Sequence, residues 1–194
     1  PRVRRKALGG AGLLASYQGD YPLGESYLRE ALAVAEAEGD DEARATILNW
    51  LGTNAYGSGQ LDAAETFISE SVALRRALGE PAGIATALNA LGGVHHFRGN
   101  LDEARATFQE SLELKQGLGN ENGIAVSLTN IGLVERDAGH PERAARAFEE
   151  AIAIWERTGD RQRSAVGIHN AALVGLDLGR HDEAAAMLRQ AYDI

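Results

Sequence analysis

Apolar residues recur along this chain every three to four positions. Ile47, Leu48, Leu51 and Ala55 form one such series, and Leu61, Ala64, Ile68 and Val72 form the next. Phe67, Leu74 and Leu78 widen the second stripe. This spacing places apolar side chains on one face of a helix, and no useful stretch alternates with period two. The pattern predicts two helices of roughly 15 residues each, separated near Gly59, and no strands.

The same pair of stripes returns every 40 residues. Gly12, Gly52, Gly92 and Gly132 form one column, continued by Ala172. Gly19, Gly59, Gly99, Gly139 and Gly179 form a second, and Gly39, Gly79, Gly119 and Gly159 a third. Thirteen of the 23 glycines thus fall in three registers, so they punctuate a repeat and do not mark flexible linkers. Apolar columns agree: Leu48, Leu88, Leu128 and Ile168; Leu28, Ile68, Phe108, Phe148 and Leu188. A small column holds Ala64, Ala104, Ala144 and Ala184, with Gly24 in the first copy.

Each column has a physical reading. Gly59 and Gly79 sit where a helix ends in a residue of positive φ. Asp62, Asp102, Glu142 and Asp182 open the second helices, where a carboxylate complements the positive end of the helix dipole. Pro141 occupies an opening position that needs no N–H. The Gly52 column lies inside the first helix, where glycine costs about 1 kcal/mol relative to alanine. Its recurrence predicts that the second helix approaches too closely there to admit a Cβ.

One helix pair cannot bury its own apolar face, so stacked copies must complete the core. The expected fold is all-α: a right-handed α-solenoid of five antiparallel helix hairpins in a single domain, 1–194. The copies span about 2–39, 42–79, 82–119, 122–159 and 162–194, with the first helices lining a concave face.

The order Leu48, Leu51-Gly52, Ala64, Ile68, Ser71 resembles the tetratricopeptide repeat, and the resemblance covers essentially the whole chain. The period of 40 exceeds the usual 34 or so, and the closing Pro is replaced by Glu36, Arg76, Gln116 and Glu156. This variant is similar to kinesin light chain repeats and to the arrays of bacterial signalling ATPases and transcription regulators. The resemblance implies a non-catalytic module that binds a protein or peptide segment in its groove, as the sensor or interaction part of a larger regulatory protein. It also leaves open a small-molecule effector sensor, or a structural module that associates end to end.

By that register the groove is lined by Lys6, Gly9, Ser16 and Tyr17, then by Thr46, Asn49, Thr53 and Tyr56. Later copies contribute Thr86, Asn89, His96 and Phe97; Val126, Thr129, Arg136 and Asp137; and Val166, His169, Leu176 and Asp177. Asn49 and Asn89 are the sharpest candidates, because an amide offers a donor and an acceptor to an extended peptide backbone. Asn130 and Asn170 fall one residue later, turned by about 100°. Tyr17, Tyr56, His96 and Phe97 supply an aromatic floor, and Arg136 a partner for an acidic group.

Composition narrows the functional classes. There are 19 Lys+Arg against 28 Asp+Glu, a formal net charge of -9. The basic residues Arg2, Arg4, Arg5 and Lys6 cluster at the start, and the acidic remainder argues against a nucleic-acid-binding face. The start at Pro1 suggests a piece of a longer polypeptide. There is no cysteine, in keeping with a reducing cytoplasmic setting. No apolar run is long enough to span a membrane. His95 and His96 diverge by about 100° on a helix and lack the further ligands a metal requires. No phosphate loop or nucleophile signature is present, so neither catalysis, cofactor nor metal is expected.

Overall fold

The computed structural model describes residues 2–193. Among these, ten helices follow one another: α1 (Arg2–Tyr17), α2 (Tyr21–Glu38), α3 (Asp41–Gly57), α4 (Leu61–Leu78), α5 (Pro81–Phe97), α6 (Leu101–Gly117), α7 (Glu121–Asp137), α8 (Pro141–Thr158), α9 (Arg161–Asp177) and α10 (His181–Asp193). The described residues contain no strand. No helix among them is long and apolar enough to cross a membrane. Internal contacts define two compact units, Pro1–Arg98 and Gly99–Ile194. In the first, α1 to α5 pack in sequence; in the second, α6 to α10 do so.

The helix ends follow the predicted punctuation. Gly59 has φ 78° and Gly79 φ 68°, a region that non-glycine residues enter only with strain. Asp62, Asp102, Glu142 and Asp182 all lie in first turns. The first helices add side-chain caps: Asp40, Asn120 and Asp160 accept from the backbone N–H of Ala43, Gly123 and Arg163 at 3.0, 2.9 and 3.1 Å. Each such cap is worth about 1 kcal/mol.

The mid-helix glycines admit a neighbouring helix. A Cβ on Gly132 would stand 2.7 Å from Cε1 of Phe148, and one on Gly12 2.7 Å from Cγ of Leu28. Gly52 meets Ile68 in the same way. These three partners belong to the apolar column of the second helices and are fully buried. Glycine on one helix thus makes room for a large residue on the next.

A second pair of columns exchanges bulk between a second helix and the following first helix. Small Ala35 shares a core cluster with large Ile47. Lys115 reaches small Ser127, its Nζ donating to Oγ at 2.8 Å. Trp155 lies over Gly167, where a Cβ would come within 3.0 Å of Cζ3. The summed volume is roughly kept while its source changes, as dense cores require.

Two charged groups are buried in the second unit. Glu135 of α7 accepts from Nε of Arg105 at 2.5 Å and lies 3.0 Å from Nδ1 of His140. These partners compensate its desolvation and fasten α6 and the α7–α8 turn together. Lys115 is pushed down to about 8 by burial, because the interior disfavours the ammonium ion.

Candidate ligand-binding face

In the first unit, residues of α1, of α3 and of the start of α2 surround an open space. The gap is a cavity of about 380 Å³, lined by Leu13, Ser16 and Tyr17 of α1, by Tyr21, and by Asn49, Trp50, Thr53, Asn54, Tyr56 and Gly57 of α3. Five residues expected from the register therefore converge here: Ser16, Tyr17, Asn49, Thr53 and Tyr56. Asn49, Thr53 and Tyr56, three to four residues apart along α3, share one face.

The cavity contains no Asp, Glu, Lys, Arg or His. Its chemistry is three phenols, two amides, two hydroxyls and an indole, all neutral. Tyr17 stands 84% exposed at the rim. Tyr56 is held edge-on by Phe97 of α5, with ring centres 5.7 Å apart and planes at 78°. The Thr53 hydroxyl donates to the Asn49 carbonyl at 2.9 Å. Oδ1 of Asn49 is buried without any donor. An acceptor left in this condition costs about 1–3 kcal/mol.

Asn54 is a further lining residue that the repeat register does not single out. It is 2% exposed. Its Oδ1 accepts from the Ser16 hydroxyl at 2.6 Å, and its Nδ2 donates to the Tyr21 carbonyl at 3.1 Å. This node joins α1, α2 and α3 beneath the cavity. It also explains why Gly24 replaces the usual alanine: a Cβ there would lie 2.6 Å from both Asn54 Oδ1 and Ser16 Oγ. The visible signal was a polar residue in a column that otherwise reads Val94, Val134 and Val174.

A second cavity, of about 310 Å³, lies on the other side of Trp50, toward the start of α1 and α3. It is charged, with Arg2, Arg5, Lys6, Asp40 and Glu42 in its wall. Arg5 is bound by Glu38 and Asp40, each at 2.6 Å. The N–H of Ala43, and next Arg5, hold the Asp40 carboxyl below its ordinary value. The basic start of the chain is thus partly neutralised by folding.

The remaining expected residues lie elsewhere. Asn89 and His96 are half-buried on α5, engaged within the protein, and do not line the neutral cavity. Asn130 lines a separate cleft between α7 and α9. Asn170 is half-buried on α9. Nε of Arg136 donates to Asp177 at 2.6 Å, a bond that raises the guanidinium pKa and ties α7 to α9.

Helical hairpins in tandem, glycine-seated second helices and a neutral cleft between successive first helices define a helical repeat protein. The chain belongs to the tetratricopeptide repeat family, whose models match residues 4–77, 83–157 and 167–194. No curated protein matches it significantly. Among solved structures it is similar to BtubC (BKLC) from P. vanneervenii, with 24% identity, TM-score 0.84, and coverage of 94% of this chain and 76% of that one. It is also similar to a putative kinesin light chain of Podosopora anserina with nearly identical TPR-like repeats (15%, 0.82, 98% and 93%). A third is the Rap conjugation gene regulator of plasmid pLS20 in complex with the Phr* peptide (19%, 0.79, 96% and 52%). The chain spans about half the length of that regulator. At these identities the likeness is one of fold.

Proposed function

We propose that this chain is a non-catalytic interaction module that takes an extended peptide segment into the neutral cavity of its first unit, within a larger signalling or regulatory protein. The observation that carries the reading is the convergence of Tyr17, Asn49, Thr53 and Tyr56 on one cavity in which Asn49 holds an unmatched acceptor. A lining of amides, hydroxyls and aromatic rings suits a peptide backbone and an apolar side chain, and offers nothing to neutralise a charged ligand. The preformed cleft limits the ordering cost of binding. A Rap regulator of this fold is complexed with a peptide, which supports the reading by analogy of fold. The cavity volume also falls in the small-molecule range of roughly 300–1,000 Å³, which favours an effector sensor as the second reading.

The test is selection of peptides from a random displayed library on the 194-residue chain, followed by affinity measurement. Asn49→Leu removes the amide without opening a void, and the lost hydrogen bond predicts roughly two- to tenfold weaker binding. Tyr56→Ser is expected to weaken it further. Full affinity in both variants would remove the cavity from the account.

A further inference from the structure

The charged cavity shares only Trp50 with the neutral one, and its walls carry both signs of charge. Arg2, Arg5 and Lys6 of α1 supply the cations; Asp40 and Glu42, at the start of α3, supply the anions. Ile47 and Trp50 add apolar surface. The volume of about 310 Å³ lies at the lower limit for ligand pockets, room for one small molecule.

The cationic wall is fixed by the fold. Only 8% of the Arg5 side chain is exposed, which is unusual for a permanent charge. Its two carboxylate partners, Glu38 and Asp40, are both met by one atom, Nη1, at 2.6 Å. Asp40 is held in turn, because it accepts from the N–H of Ala43 at 3.0 Å. A guanidinium carries five N–H donors in a planar fork. The two pairs at Nη1 leave its Nε–Nη2 edge unused, and that edge can grip a carboxylate with two parallel bonds. Arg5 forms part of the cavity wall, so the exposed remainder of its side chain opens there. Glu42 is different: it is exposed in the first turn of α3, and among the described residues no cation pairs with it.

We propose that the charged cavity binds a free α-amino acid with an apolar side chain. Its carboxylate lies on the Arg5 fork with Lys6 beside it, its ammonium on Glu42, and its side chain against Ile47 and Trp50. A held cationic fork, a separate carboxylate and an indole in one small cavity call for a ligand with one charge of each sign and an apolar body. A simple anion would leave Glu42 opposed to it, and a residue inside a peptide has neither charged group. The site is therefore independent of the peptide reading of the neutral cavity.

The probe is L-phenylalanine, and the readout is the Trp50 indole N–H signal of the ¹⁵N-labelled chain, which Trp50→Phe distinguishes from that of Trp155. A saturable shift is expected. N-acetyl-L-phenylalanine has lost the ammonium and L-phenylalaninamide the carboxylate; each is expected to bind about tenfold more weakly. Glu42→Gln should weaken L-phenylalanine by a similar factor and leave the N-acetyl compound nearly unchanged. Arg5→Lys keeps the charge and loses the fork, so it should weaken L-phenylalanine and leave the amide nearly unchanged. Glu42 is exposed, so its variant keeps the fold even where Arg5→Lys does not, and melting curves check both. Tyr56→Ser alters only the neutral cavity and should not move the affinity for L-phenylalanine. No saturable shift, equal binding of the three compounds, or full affinity in Glu42→Gln would overturn the proposal. Loss of binding in Tyr56→Ser would place the amino acid in the neutral cavity and overturn it too.

Discussion

Replacing Gly132 by alanine puts two known effects in opposition. In the interior of a helix, alanine is favoured over glycine by about 1 kcal/mol. Against this, the new Cβ would stand 2.7, 2.8 and 3.0 Å from Cε1, Cζ and Cδ1 of Phe148. Carbon atoms rest at about 3.5–4.0 Å, so the ring must retreat by roughly 0.7 Å. Phe148 is fully buried against Ala144, Ala171 and Val174 and has nowhere to go. Overpacking of this kind costs about 1–3 kcal/mol. The net expectation is a loss of up to about 2 kcal/mol. Gly93 of α5 is the control: its Cβ would meet nothing within 4 Å, so Gly93→Ala should gain up to about 1 kcal/mol. In a Phe148→Ala background the clash is gone, and Gly132→Ala should change sign and stabilise. Urea unfolding followed by circular dichroism measures all four variants, and the cycle isolates the coupling. Equal stabilisation by Gly132→Ala and Gly93→Ala in the native background would refute the idea that the glycine column seats the second helices.

Three further predictions concern buried polar groups. Asn54→Val should cost about 1 kcal/mol in the same unfolding assay, because it removes the bonds to the Ser16 hydroxyl and the Tyr21 carbonyl while Ser16 keeps the Gly12 carbonyl at 2.8 Å. The Asp40 carboxyl titrates below its ordinary 3.8 in the folded chain, so its contribution is present above that pH and is lost as pH falls through the lower folded value. The urea midpoint should therefore drop more gently on acidification in Asp40→Asn. Lys115 titrates near 8 when folded and at its ordinary 10.5 when unfolded, so between those values the unfolded chain binds more protons and stability should rise with pH. That rise should be missing in Lys115→Met.

The helices, their ends and the seating of one on the next were legible because the period repeats every error-prone local signal several times. A lone glycine is ambiguous, but Gly12, Gly52, Gly92 and Gly132 in register are not. Tyr17, Asn49, Thr53 and Tyr56, which follow the register, line one cavity. What escaped were the departures from the register. Asn54 and Gly24 each looked like a single deviation, and only their contact shows that they are one. Glu135 and Lys115 occupy positions held by Ala15 and Ala35 in the first copy, so nothing local announced a buried charge. That the buried indole N–H of Trp155 has no acceptor depends on how a ring is rotated, which no spacing encodes.

The most direct measurement of the binding account is the location of a bound peptide. A library-selected peptide carrying a benzophenone side chain, irradiated on the 194-residue chain and mapped by mass spectrometry, reports that location without reference to affinity. The account predicts adducts on Tyr17, Trp50, Thr53 or Tyr56, suppressed by excess unlabelled peptide. Adducts on the outward residues of α2 and α4, such as Glu30 and Glu70, with those four left unmodified, would contradict it.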